Sequence, residues 1–131
     1  MIYVCAPHYK TEDLTGDIAE EIAKEAGVEF VTGTVDNAMF VLEIGGIEDK
    51  VIDGSIPDLL VDDKTHTQIF KTIFDRIFNI RKTTFNTALS NTFDRRYARL
   101  ELTNKVRYSE KHRKLLVKTA AEILREIKKL F

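Results

Sequence analysis

Three stretches of this chain carry side chains whose types and spacing could do chemistry. The first is His8 with Glu12, in a polar segment that follows an apolar run. An imidazole nitrogen and a carboxylate in one short loop can both reach a Zn²⁺ ion, and catalytic zinc keeps an open position whose water has a pKa of about 7. A third ligand would have to come from elsewhere. The same two residues would serve equally as a solvated surface pair. The second stretch is Arg99-Leu100-Glu101-Leu102-Thr103. If Leu100 and Leu102 face one layer of a sheet, Glu101 faces the other, and a carboxylate on a central strand needs a partner or a role. Glu101 is then either a general base beside a metal-bound water or one half of a salt bridge to Arg96 or Arg107. The third is Glu43, set among Phe40, Val41, Leu42 and Ile44. Those neighbours favour internal pairing with a lysine or arginine over a direct catalytic role.

These residues need elements to hold them. Residues 1–6 are apolar and end at Pro7, which reads as a buried strand. Leu14, Ile18, Ala19, Ile22, Ala23 and Ala26 recur at helical spacing, and Gly27 follows as a C-terminal cap. Strands are expected over 29–35 and 39–44, the latter so apolar that both its faces should be covered. Residues 48–57 form a polar loop with Gly54 and Pro57, and 59–61 a short strand. Ile69, Phe70, Ile73, Phe74, Ile77 and Phe78 make a helical stripe suited to core packing. Strands over 83–87 and 97–103 flank a loop at 89–95. Ser109 then caps a long final helix with a stripe of Leu115, Leu116, Ala120, Ile123, Leu124, Ile127 and Leu130. His112, near its start, is expected on the surface and outside any site. The alternation predicts a three-layer α/β fold: a mostly parallel or mixed sheet of about five to six strands with helices on both faces. In such sheets ligands gather at the carboxyl ends of strands. That places the loops after the first, third and fourth strands, and the end of the strand carrying Glu101, at one edge.

Composition narrows the function classes. Twenty basic and 21 acidic residues give a formal net charge of −1, which offers no field to hold a polyanion, so nucleic acid is not an expected partner. The single cysteine, Cys5, has no internal disulfide partner. It lies in the first apolar run with no adjacent histidine or cation, as a buried and inert thiol would. No apolar run reaches the roughly 18 residues of a membrane span, so a membrane is not expected either. The chain opens directly on a strand without a signal-peptide pattern, and the cytoplasm is the expected compartment. No repeat or linker divides it, and 1–131 reads as one α/β domain. Gly45-Gly46 after a strand could admit a phosphate. No helix follows at once, however, and neither a Gly-x-Gly-x-x-Gly nor a Walker pattern is present. A small-molecule substrate is the expected partner, and a homodimer is a compatible assembly.

Ala6-Pro7-His8 followed by Glu12, then Thr15-Gly16-Asp17-Ile18-Ala19-Glu20-Glu21-Ile22-Ala23, resembles the N-formylglutamate amidohydrolase family and the related zinc-dependent poly-γ-glutamate hydrolases. So does Leu100-Glu101-Leu102-Thr103-Asn104-Lys105-Val106-Arg107, which is similar to the family's Gln-x-Glu-x-(Ser/Thr)-x-x-x-Arg segment before a C-terminal helix. Pro57-Asp58-Leu59-Leu60-Val61 resembles a further family strand. The resemblance implies a zinc carboxypeptidase-like fold and hydrolysis of an amide bond in an N-acylated acidic amino acid or a γ-glutamyl compound. It makes His8 and Glu12 metal ligands and Glu101 the general base, with Arg107 orienting that base or binding a substrate carboxylate. One block departs from the pattern. The family's third zinc ligand is a histidine in an Ile-Asp-Ile-His-Gly strand, and here Leu42-Glu43-Ile44-Gly45-Gly46 puts Gly45 in its place. The family's Asp-x-Asn-Arg segment has no counterpart. His66 is the candidate substitute ligand, ahead of Asp62 and Asp63. The two functional expectations are therefore a zinc-dependent amidohydrolase and a relative that kept the fold, lost the metal, and acts as a binding or assembly module.

Overall fold

The computed structural model describes residues 1–33, 35, 37–63, 74–82 and 96–130. Six strands form one mixed sheet: β1 (Ile2–Cys5), β2 (Glu29–Val31), β3 (Phe40–Gly46), β4 (Leu59–Asp63), β5 (Ile80–Lys82) and β6 (Tyr97–Leu102), in the order β2-β1-β3-β6-β4-β5. Among the described residues, helices α1 (Thr15–Ala26), α2 (Asn104–Tyr108) and α3 (Glu110–Lys128) accompany them. The α/β class, the mixed sheet and the number of strands are as the sequence predicts.

β1, β2, β3 and β6 run parallel, whereas β4 pairs antiparallel with β6. The cause is the connection from β3. A parallel crossover takes a dozen or more residues and normally a helix. The segment from Ile47 to Asp58 has no helix; it folds back through an Ile52–Ser55 bridge with Asp53 and Gly54 at positive φ. A chain that leaves β3 at the carboxyl edge and enters β4 from that same edge must run back. The expectation that the end of β4 shares an edge with Glu101 is therefore corrected. Asp63 pairs with Ala98, near the start of β6, at the opposite end of that strand from Glu101.

α1 and α3 pack together over one face of the sheet, burying Ile18, Ile22, Leu116, Ala120, Ile123 and Ile127 against Val4, Leu42, Ile44 and Leu100. Phe74 and Phe78 join that same core, whereas Ile77 of the predicted stripe is exposed; residues 69–73 and the predicted strand at 83–87 lie outside the described residues. On the opposite face Val35 and Ala38 cover Cys5, Val41 and Tyr97.

Local signals act as expected at the helix ends. Gly27 closes α1 at φ 69°, and Ser109 accepts from the His112 amide at 3.4 Å at the start of α3. His112 is half-buried rather than exposed, because its Nδ1 lies 2.7 Å from Ser109 Oγ. The short helix α2 is an addition to the sequence reading; Asp49 Oδ1 accepts from the Asn104 amide at 2.9 Å and fixes its first turn. Leu100 is fully buried between the sheet and both long helices. Leu100→Ala should destabilise the fold by about 3 kcal/mol, read from urea denaturation midpoints at unchanged slope.

Candidate functional site

Alternation along β6 sends Ala98, Leu100 and Leu102 into the helix-covered core and puts Tyr97, Arg99 and Glu101 on the opposite face. Register then sets neighbours beside them. Glu43 stands opposite Arg99, Gly45 opposite Glu101, Asp62 opposite Arg99 from the other side, and Cys5 opposite Glu43. One row across four strands thus reads Cys5, Glu43, Arg99, Asp62, and all four residues are buried.

Arg99 is the centre of this row. Its Nη1 donates to Glu43 Oε1, and its Nη2 donates to Glu101 Oε1. Its Nε donates to the same Glu101 oxygen at 2.7 Å. Nη2 lies 3.8 Å from Glu12 Oε1, which reaches in from the loop before α1 and has no hydrogen-bond partner. Tyr97 Oη donates to Glu43 Oε2 at 2.6 Å and fixes that carboxylate from behind.

The charges follow from this crowding. Burial alone would lower the Arg99 pKa, but Glu43 and Glu101 more than offset it and hold the guanidinium above its ordinary value. Burial raises the Glu101 pKa, Arg99 opposes the rise, and the nearby Glu12 and Glu43 carboxylates add to it. The two directions are consistent, since one cation is shared among several carboxylates. Cys5 is pushed up to about 12 by burial and then by Glu43, so it is the inert thiol that its sequence context predicts.

The glycines of β3 make room for two guanidinium groups. A Cβ at Gly45 would stand 2.8 Å from Arg99 Cζ and 3.0 Å from Glu101 Oε1. A Cβ at Gly46 would stand 2.7 Å from Arg107 Cζ. Arg107 is buried and spans three segments, donating to Asp13 O at 3.0 Å, Ile47 O at 3.1 Å and Asn104 Oδ1 at 2.8 Å.

The predicted site residues are therefore placed unevenly. Glu12 and Glu101 converge on Arg99. Arg107 lies one β3 residue further along, at the carboxyl edge. His8 is exposed in the turn before α1, where its carbonyl accepts from the Glu12 amide at 2.8 Å. His66 lies outside the described residues, and Asp62 faces Arg99 from β4.

The described residues around Arg99 do not fit a zinc ion. Among the described residues no three His, Cys, Asp or Glu side chains are grouped to hold a metal. The space over Gly45 is filled by a guanidinium, which only donates and whose fixed charge repels a dication.

Against known proteins, no protein-family model matches the sequence and no curated protein matches it. Among solved structures, it is similar to the catalytic domain of CwlV, an N-acetylmuramoyl-L-alanine amidase from Bacillus (Paenibacillus) polymyxa var. colistinus. The TM-score is 0.56 at 11% identity, over 99% of each chain. The chain shares the α/β fold of that domain. At this identity the likeness is one of architecture, from end to end.

Sequence reasoning missed Arg99 as the partner of both Glu43 and Glu101. The signal was present, since a period of two along Tyr97-Ala98-Arg99-Leu100-Glu101 puts Arg99 on the face of Glu101. What could not be read was the register that sets Glu43 and Gly45 beside them.

Two outcomes follow. Native protein should leave Cys5 unmodified by iodoacetamide at neutral pH and react once unfolded, as intact mass shows. Glu101 has a higher pKa folded than unfolded, so its contribution to stability is present below the ordinary carboxylate value and is lost as pH rises through the raised one. Glu101→Gln should flatten that decline, measured by urea denaturation from about pH 4 to about pH 7.

Proposed function

We propose that this protein is an amidase-fold binding module that works without a metal and receives a small carboxylate-bearing molecule at the carboxyl edge of its sheet. Arg99 carries the reading. Its guanidinium lies over Gly45, bonded to Glu43 and Glu101, where the sequence resemblance calls for a metal-ligating histidine. A guanidinium there replaces the positive charge of a metal without its open coordination position, and amide hydrolysis of the metal-assisted kind has no electrophile.

The ligand class is inferred from Arg107. It is 6% exposed, its three hydrogen-bond acceptors are neutral oxygens, and its Nε has no hydrogen-bond partner. It borders a cavity of about 550 Å³ shared with Leu14, Tyr108, Arg113 and Lys114, within the size range of small-molecule sites. Arg113 is paired with Glu21 and Lys114 with Glu110, so Arg107 is the cation best placed to take an anion.

Isothermal titration with N-acetyl-L-glutamate tests this. Binding is expected, weakened at least about tenfold in Arg107→Met at unchanged fold, which corresponds to losing roughly one charge-assisted bond. No amine should be released from N-acylglutamates or γ-glutamyl amides, with or without added zinc.

A second reading is a zinc-dependent amidohydrolase with His8, Glu12 and His66 on the metal and Glu101 as base. It is favoured by the unbonded Glu12 Oε1 close to a carboxyl whose pKa is raised. Zinc-stimulated turnover that Glu101→Gln abolishes, with metal still bound, would establish it and end the metal-free proposal.

A further inference from the structure

Arg107 is enclosed, and an anion reaches it only if something moves. Its guanidinium lies over the β3 backbone at Gly46, where a Cβ would stand 2.7 Å from Cζ. Asp13 O, Ile47 O and Asn104 Oδ1 accept from its two terminal nitrogens at 3.0, 3.1 and 2.8 Å. The remaining nitrogen, Nε, is buried and its N–H has no acceptor, a costly state for a charged donor. The Tyr108 ring lies beside this group, its centroid 5.6 Å from Cζ. Both residues line the cavity of about 550 Å³, yet Arg107 is 6% exposed and Tyr108 58%. Gly46 and the carbonyls of Asp13 and Ile47 are main chain. The exposed tyrosine side chain is the neighbour that can swing aside.

That side chain is tethered at its tip. Tyr108 Oη donates to Asp13 Oδ2 at 2.8 Å. Asp13 is thereby engaged twice, since its carbonyl accepts from Arg107 Nη1. Arginine, aspartate and tyrosine form a closed ring, completed by the peptide bond between residues 107 and 108. The next residue of the loop, Leu14, borders the same cavity and turns into α1 at φ 65° and ψ −3°. A leucine holds that left-handed conformation only where surrounding contacts enforce it, and such strain gathers at functional sites.

We propose that Tyr108 is a gate over the Arg107 anion site, held shut by Asp13, and that a carboxylate-bearing ligand enters by breaking this one hydrogen bond. The inference rests on the reading of Arg107 as the anion-binding cation and adds how the site is closed. A carboxylate arriving at Nε supplies the acceptor that the buried N–H lacks, which offsets the bond given up by the tyrosine. A closed gate also lowers the apparent affinity by the fraction of molecules that stand open.

The experiment uses the full chain and isothermal titration with N-acetyl-L-glutamate. Tyr108→Phe and Asp13→Ala cut the same bond from its two ends, and both residues are exposed, so melting temperatures should stay close to wild type. Each variant should bind about fivefold more tightly than wild type, the effect of one ordinary hydrogen bond. The double variant should bind no more tightly than either single one, because the bond is broken only once. Adding Arg107→Met should remove the gain.

Binding seen in the two variants and too weak to measure in wild type also supports the gate. Equal affinity in wild type and both variants overturns it and leaves the reading of Arg107 standing. Weaker binding in Tyr108→Phe makes the hydroxyl a ligand contact and overturns the gate alone, as do gains that add in the double variant. If Asp13→Ala melts well below wild type, Tyr108→Phe decides, since it removes a single exposed oxygen. No binding in wild type or any variant overturns both the gate and the Arg107 reading.

Discussion

The fold depends on one buried guanidinium. Glu43 and Glu101 sit on the two central strands, β3 and β6, on the face away from the helices. Neither could be desolvated there alone, because an isolated buried carboxylate costs far more than a single hydrogen bond returns. Arg99 binds both, and Tyr97 holds the far oxygen of Glu43 at 2.6 Å. The register of β3 against β6 is therefore specified twice. On one face it is set by Leu42, Ile44, Ala98 and Leu100 against α1 and α3, and on the other by a polar network that only one alignment completes. A slip of one residue would put the carboxylates into the helix-packed core.

The carboxyl edge is held by a second set of constraints that grow from the same strands. Thr103, at the end of β6, donates through its amide and its hydroxyl to the Asp58 carbonyl, at 3.2 Å and 2.7 Å. Lys105 approaches the Asp58 carboxylate at 2.9 Å. These bonds fasten the entry of β4 to the exit of β6, as their antiparallel pairing requires. Arg107 then ties the loop before α1 to the end of β3. The polar edge is assembled from three loops held by backbone carbonyls, and its geometry follows from the strand directions.

Much of this could be read from residue patterns because it is local. The spacing of Ile18, Ile22 and Ala26 with Gly27 after them, or of Leu116, Ile123 and Ile127 after Ser109, depends on neighbours within a turn or two. The apolar run through Phe40 to Ile44 identifies a covered strand in the same way. The direction of β4 was also recoverable, since no helical period lies between Ile47 and Asp58, yet strand order at a sheet edge is a long-range property. The centre was harder for that reason. Glu43 was expected to find an arginine or lysine, and it does, but choosing Arg99 over Arg96 or Arg107 needs the pairing of residues 56 apart in sequence. A motif reading looks for residues that are present. Here the informative residue is Gly45, where a missing side chain makes room for another.

The two guanidinium groups over Gly45 and Gly46 show how neighbouring positions on one strand can take opposite roles. Both need a glycine beneath them, and both are buried to a similar degree, at 4% and 6% exposure. Arg99 is met by carboxylates, so its charge is consumed internally and its rotamer is fixed. Arg107 is met by two carbonyls and an amide oxygen, which hold its plane in position without cancelling its charge. A cation that is neutralised serves the fold, while one that is oriented but left charged is prepared for an anion from outside. The mixed α/β sheet supplies the edge on which both stand. The division of labour between them comes from which oxygens each side chain finds there.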